Sequence, residues 1–185
     1  MIENLSIKHC VTTAADELEA DKQFKNTDGK VVDRTKQMNA SEAMSCIRKQ
    51  WYSKNGFDEG EQDWGYARRG SHMEKYFVDM MQQYCSSSDI NMSLSYVGEE
   101  QISLLCKETK ISATPDGVLH IVMGKTEENI GLEFKSIDPR TNKAKLPKEN
   151  HVTQLKISMA LINQELDTSA VGFVPIKRGM LIYMD

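Results

Sequence analysis

The chain has 185 residues, with 23 Lys and Arg against 27 Asp and Glu, a formal net charge of −4 and 39% hydrophobic residues. This length and apolar content suit one globular domain with a buried core, and 11 Gly and 4 Pro are too few for a disordered or collagen-like chain. The sequence has no apolar run near the roughly 20 residues of a membrane span, and its N-terminus lacks the pattern of a secretory or organellar leader. We therefore expect a cytoplasmic protein.

The predicted helices of the first half follow a polar N-terminal stretch. Residues 1–38 are polar and weakly periodic, which predicts a peripheral arm ahead of a single domain over residues 39–185. Apolar residues three and four positions apart predict a first helix through Ala43–Tyr52 and a second through Tyr66–Met81. The core face of the second helix is predicted to consist of Met73, Phe77, Met80 and Met81.

From residue 90 onward, apolar and polar residues alternate, which is the period of half-buried strands. Strands are predicted over 90–97, 101–105, 114–122 and 130–136, followed by a helix over 153–162 and a closing strand over 181–183. Strands followed by a helix and a returning strand indicate an α/β fold with a central mixed sheet flanked by helices.

Basic and aromatic residues are concentrated in a few places although the chain is acidic overall. The segment from Arg140 to Lys156 holds a single acid, Glu149, and a second basic pair lies in the second predicted helix. Contacts to nucleic-acid phosphates depend on charge and carry no base sequence. The candidates for such contacts are Arg68, Arg69, Lys143, Lys145, Lys148 and Lys156. The candidates for stacking on an unpaired base are Trp51, Tyr52, Trp64 and Tyr66, with core packing as the alternative for Trp51.

Three charged residues stand where core strands normally carry apolar ones. Asp116 follows Pro115 at the start of an apolar strand, and Glu133 and Lys135 lie two positions apart on a later strand, so their side chains share one face. If the strands are neighbours, the carboxylates of Asp116 and Glu133 meet and repel each other unless a cation lies between them. Oxygen ligands favour Mg²⁺, or Mn²⁺ in its place, which suits phosphodiester hydrolysis. The alternative is an ordinary Pro-Asp-Gly turn with a surface Glu–Lys pair.

The order and spacing of these motifs resemble the PD-(D/E)XK nuclease superfamily over about residues 40–165. The segments Arg69–Glu74, Ser112–Gly117 and Gly131–Lys135, with Gln154 in the following helix, are similar to lambda-type (YqaJ-like) phage exonucleases. Residues 46–52 resemble instead the first helix of RecB-like exonucleases. The resemblance implies a restriction-endonuclease-like core in which a central mixed β-sheet is flanked by helices.

The resemblance also implies a set of metal ligands. Asp116 and Glu133 would bind Mg²⁺ together with the main-chain carbonyl of Phe134, and Glu74 would complete the site from its helix. His72 is the alternative to Glu74, because residues two apart on a helix cannot face the same site equally well. We favour Glu74 on the lambda-type pattern.

The remaining roles that the resemblance implies concern the attacking water and the DNA. Lys135 would act on the water, Gln154 would position Lys135 or the DNA backbone, and His151 is a further candidate for a phosphate contact. The four cysteines are widely spaced, so neither a zinc site nor a disulfide framework is expected. Because no cysteine follows Cys106, the iron–sulfur cluster of some relatives is not expected either.

The activity that the resemblance implies is that of a Mg²⁺-dependent deoxyribonuclease, an exonuclease of viral or phage recombination, repair or genome processing in the host cytoplasm. A structure-specific endonuclease is the close alternative. A catalytically silent nucleic-acid-binding module of the same fold and a hydrolase of RNA or nucleotides are the others. The expected partner is DNA, a homo-oligomer and a single-strand annealing protein are further candidates, and no membrane is expected.

Overall fold

The computed structural model describes Gly29 and residues 34–57, 64–167 and 174–185. The predictions for most of the N-terminal arm, from residue 1 to residue 33, lie outside this part of the chain. The described helices are α1 (Ile47–Lys54), α2 (Trp64–Ser87) and α3 (Glu149–Asp167). The described strands are β1 (Met38–Asn39), β2 (Asn91–Ser95), β3 (Leu104–Cys106), β4 (Ile111–Ala113), β5 (Gly117–Met123), β6 (Thr126–Ser136) and β7 (Arg178–Met184).

The strands form two mixed sheets, so the predicted α/β class is correct at this level. The larger sheet has the order β2-β5-β6-β7 and is antiparallel except for the parallel pair β6–β7. The smaller sheet has the order β1-β4-β3, with β1 and β4 parallel. The predicted strand over 114–122 is wrong at its start, because the chain leaves β4 after Ala113 and enters β5 only at Gly117. Pro115 lies in this break, where its lack of an N–H removes a ladder hydrogen bond.

Helix α1 is shorter and more exposed than the sequence indicates. The helix begins at Ile47 and not at Ala43. Residues 40–42 ahead of it form a 3₁₀ turn, and the N–H of Asn39 donates a 2.9 Å hydrogen bond to Oε2 of Glu42. No residue of α1 is buried, and Ile47 and Trp51 are 82% and 53% exposed. Core packing therefore does not explain Trp51.

Helix α2 covers one face of the larger sheet. The rings of Phe77 and Phe134 lie 4.9 Å apart, and Val78 is buried in the same cluster. Met80 is 46% exposed, so its predicted place in the core is wrong. The helix is rotated so that the stripe of Phe77, Val78 and Cys85 faces the sheet.

Helix α3 covers the opposite face of the larger sheet at a point where two glycines are paired. Gly131 of β6 and Gly179 of β7 are direct partners in the register. A Cβ on Gly179 would lie 2.7 Å from Cδ2 of Leu155, and one on Gly131 would lie 2.9 Å from Cγ of Met159. The glycines therefore let α3 approach the sheet closely. Because side chains two apart share a face, α3 lies on the side of Glu133 and Lys135.

We expect Gly179→Ala to lower the free energy of unfolding by about 1–3 kcal/mol, because its Cβ overpacks the α3 interface. The matched control is Gly70→Ala in α2, where the nearest atom to a new Cβ is 3.8 Å away. Alanine favours a helix, so this control is expected to keep or raise stability. Urea unfolding of both variants measures the effect, and equal stabilities would contradict the close approach of α3.

Candidate active site

Two neighbouring strands bring Asp116, Glu133 and Lys135 together. The register of β5 and β6 pairs Gly117 with Leu132, and its next step places Asp116 opposite Glu133. Directly opposite residues have Cβ atoms roughly 5 Å apart and share a face of the sheet. The N–H of Phe134 donates a 2.7 Å hydrogen bond to Oδ2 of Asp116, which fixes this carboxylate beside β6. The predicted meeting of the two acids is therefore seen in the structure.

The two carboxylates carry more negative charge than their surroundings balance. Glu133 is fully buried, and Nζ of Lys135 lies 2.5 Å from its Oε1 in an ion pair. Its other oxygen, Oε2, accepts no hydrogen bond from any described residue. Burial raises the pKa of Glu133 although Lys135 opposes this, and burial together with the Glu133 charge raises the pKa of Asp116 to about 7. One ammonium thus faces two acids that resist ionising together.

A main-chain oxygen lies on the same side as the two acids. In a strand, the N–H and C=O of one residue point to the same edge. Because the N–H of Phe134 points to Asp116, its carbonyl points toward β5 as well. The ladder of β5 and β6 ends at the pair Gly117–Leu132, and Pro115, just beyond its end, has no N–H to donate. The carbonyl can therefore act as a third oxygen ligand.

The charge of Glu74 acts on the acid pair, whereas its alternative, His72, faces solvent. Its half-buried carboxylate accepts a 2.9 Å hydrogen bond from Nε2 of Gln101, and its charge contributes to the raised pKa of Glu133. His72 is exposed. Among the described residues, no three His, Cys, Asp or Glu side chains form a group able to hold a metal, so Glu74 stands outside the Asp116–Glu133 pair.

A tyrosine that sequence reasoning missed lies beside Lys135. Tyr183 of β7 is the register partner of Lys135, so the two share a face. Its hydroxyl lies 2.9 Å from Nδ1 of His151 and accepts a 3.1 Å hydrogen bond from the N–H of Lys148. Burial and the charge of Lys135 lower the pKa of His151 to about 4, so this imidazole is neutral at pH 7. Gln154 follows His151 by three positions on α3, on the same side of the helix.

The predicted phosphate contacts fall into two groups in the structure. Arg69 donates a hydrogen bond to the carbonyl of Ile137, and Lys143 forms a 2.6 Å ion pair with Asp185. Arg69 and Lys143 therefore make contacts within the protein that hold the loop following β6 in place. The exposed lysines Lys145, Lys148 and Lys156 lie on that loop and on α3, while the side chain of Arg68 is outside the described part of the chain.

Comparison of the chain with protein-family models, with curated proteins and with solved structures found no match. None of the described helices is long and apolar enough to cross a membrane. The cysteines Cys46, Cys85 and Cys106 are free thiols, and Cys10 lies outside the described residues.

Proposed function

We propose that the protein is a Mg²⁺-dependent deoxyribonuclease with a restriction-endonuclease-like core, acting as an exonuclease in the cytoplasm of its host. One observation carries this proposal: two opposed, poorly solvated carboxylates share a single ammonium, and one buried carboxylate oxygen of Glu133 has no hydrogen-bond donor among the described residues. A buried polar atom left without a partner costs about 1–3 kcal/mol, so a cation that binds it is favoured.

The donor set fits a hard divalent cation. Asp116, Glu133 and the carbonyl of Phe134 offer only oxygen atoms, which suit Mg²⁺ or Mn²⁺. Two carboxylates are enough, because Mg²⁺ keeps several waters and uses one or two protein carboxylates beside substrate phosphate. A cation there also removes the repulsion between the two acids.

Different residues have different roles in the proposed phosphodiester hydrolysis. Asp116, Glu133 and the Phe134 carbonyl hold the cation. When bound, Mg²⁺ supplies a Lewis acid for the phosphoryl oxygen and lowers the pKa of the attacking water. Lys135, which projects on the same face as Glu133, orients that water and offsets the charge of the reacting phosphate.

The residues around this centre position the substrate and the lysine. Glu74 acts through its hydrogen bond with Gln101 and its field on Glu133. Gln154, on the side of α3 that carries His151, positions Lys135 or the DNA backbone. The exposed lysines Lys145, Lys148 and Lys156 contact phosphates without reading base sequence.

The test is cleavage of end-labelled linear DNA and of closed circular DNA in Mg²⁺, Mn²⁺ or EDTA. An exonuclease degrades the linear DNA alone and only with metal, and it releases mononucleotides. Nicking of the closed circles would show that the protein acts as an endonuclease and not as an exonuclease. DNA binding without cleavage in any metal would overturn the enzyme proposal and leave a silent binding module of the same fold.

We expect Lys135→Gln to lower kcat by about 10²–10⁴-fold with little change in KM, because the lost ammonium acts on the reacting groups and not on substrate binding. Lys125→Gln is the matched control, since Lys125 is exposed on the turn between β5 and β6. Steady-state cleavage kinetics give both constants. A wild-type kcat in Lys135→Gln would exclude this lysine from the chemistry.

A further inference from the structure

A second concave site lies between α1 and the smaller sheet. Its cavity has a volume of about 350 Å³, within the roughly 300–1,000 Å³ typical of ligand sites. None of the residues proposed above for metal binding or catalysis lines it. Its lining residues include Trp51, Gln37, Lys36, Lys54 and Lys110.

The tryptophan is half-exposed and held in place. Trp51 is 53% exposed, and its ring contacts those of Tyr52 and Phe57 at centroid distances of 5.3 and 5.7 Å. These contacts restrain the ring, so a ligand that stacks on it loses little additional side-chain entropy. A planar aromatic ligand is the natural partner of such a surface.

The amide in the cavity wall has unused hydrogen-bonding capacity. Gln37 is only 7% exposed, and its Nε2 has no hydrogen-bond partner among the described residues. Its backbone is fixed, because the carbonyl of Gln37 accepts a 2.5 Å hydrogen bond from Nζ of Lys54, which also pairs with Glu42 at 3.0 Å. The terminal torsion of glutamine is broad and roughly two-fold, so the amide can turn toward a ligand in the cavity. An amide offers both a donor and an acceptor, as the edge of a nucleobase requires.

The charge of the cavity selects an anion. Among the described residues that line it, the charged ones are three lysines; Lys54 is paired with Glu42, and Lys110 is exposed at the start of β4. A ligand with a flat polar ring and a negative group satisfies the tryptophan, the amide and the lysines together. That combination describes a nucleotide.

We propose that this cavity binds a nucleotide, with the base stacked on Trp51, the base edge at Gln37 and the phosphate at Lys110. The proposal does not depend on the nuclease site. Lys110 lies six residues before Asp116, and six extended residues span at most roughly 20 Å. The ligand is therefore either a free nucleotide or one nucleotide of a single strand that also reaches Asp116, and both share the same chemistry.

The test measures binding by the wild-type chain in EDTA, with AMP, fluorescein-labelled hexathymidylate and inorganic phosphate as probes. Isothermal titration calorimetry measures the binding of AMP and phosphate, and fluorescence anisotropy measures the binding of the labelled oligonucleotide. We expect Trp51→Ala to weaken binding of the bound probe by about 10–100-fold, as loss of base stacking does. Gln37→Leu is expected to weaken it by about 3–10-fold. Lys110→Ala is also expected to weaken binding of the probe. Because the Lys110 side chain is exposed, this loss does not depend on an effect on folding.

The controls are Tyr84→Ala and Lys125→Ala, both at exposed positions on other elements, and neither is expected to change binding. Binding of AMP supports a free nucleotide as the ligand, and binding of the oligonucleotide alone supports a single strand. No binding of either probe would overturn the proposal, as would affinities that Trp51→Ala and Lys110→Ala leave unchanged. If inorganic phosphate binds as tightly as AMP, the cavity recognises only an anion and the nucleotide proposal is wrong. Because EDTA removes the metal, failure here is distinct from failure of DNA cleavage.

Discussion

Asp116→Asn is expected to lower metal-dependent DNA cleavage by at least about 10³-fold. Asparagine keeps an oxygen that can accept the hydrogen bond from the N–H of Phe134, so the local geometry is preserved. What it removes is one of the two negative charges that would hold the cation. The measurement is the initial rate of cleavage of linear DNA in Mg²⁺.

The matched control for this substitution is Asp79→Asn. Asp79 is exposed on α2 and pairs with Lys75 at 3.2 Å, so the same change of charge occurs away from β5 and β6. We expect its cleavage rate to equal that of the wild type. Cleavage by Asp116→Asn at the wild-type rate would show that this carboxylate holds no catalytic cation.

The same substitution is expected to stabilise the metal-free protein, and the gain should depend on pH. The pKa of Asp116 is raised from 3.8 to about 7, so the folded state binds more protons than the unfolded state between these values. The wild type therefore loses this contribution to stability as the pH rises through about 4 to 7, while Asp116→Asn does not. We expect the stability of the variant relative to that of the wild type to increase between pH 4 and pH 8 in EDTA.

This comparison must use the difference between the two proteins, because His151 titrates in the opposite sense. Its lowered pKa of about 4 makes the folded state bind fewer protons than the unfolded state, so its contribution to stability rises with pH from about 4 to 6.5. That contribution is common to both proteins and cancels in the difference. Urea unfolding of both proteins at pH 4, 6 and 8 measures the difference in stability. A difference that does not vary with pH would contradict the raised pKa of Asp116.

Added Mg²⁺ should reverse the order of the two stabilities. A ligand that binds only the folded state stabilises it by an amount that grows with the ratio of its concentration to Kd. We therefore expect Mg²⁺ at pH 8 to raise the stability of the wild type and to leave Asp116→Asn nearly unchanged. Equal stabilisation of both proteins would place the ion elsewhere.

The sequence predicted the parts of the site that depend on local spacing. The alternation of polar and apolar residues placed Glu133 and Lys135 on one face of β6, and Asp116 was expected to meet Glu133 if their strands are neighbours, as they are. The strand was predicted to begin at residue 114, although Pro115, Asp116 and Gly117 form a turn signal at the point where the break lies. The structure assigns this break to the passage between the two sheets.

The parts that sequence did not give depend on register and on tertiary contacts. Tyr183 is paired with Lys135 and Gly179 with Gly131, and neither pairing follows from periodicity, because β6 and β7 are separated by the whole of α3. The exposure of Trp51 could not be predicted from the sequence either, because an apolar helix face has the same spacing whether or not another element covers it. The grouping of Lys36, Lys54 and Lys110 around Trp51 also emerges only when the chain is folded.

The most direct test of the nuclease account is calorimetric titration of Mg²⁺ and Mn²⁺ into the wild type, Asp116→Asn and Glu133→Gln in the absence of DNA. We expect one binding event in the wild type, at the pair of acids that share Lys135, and its loss in both variants. Identical titrations for the three proteins, or no binding to any of them, would contradict the claim that Asp116 and Glu133 together hold a divalent cation.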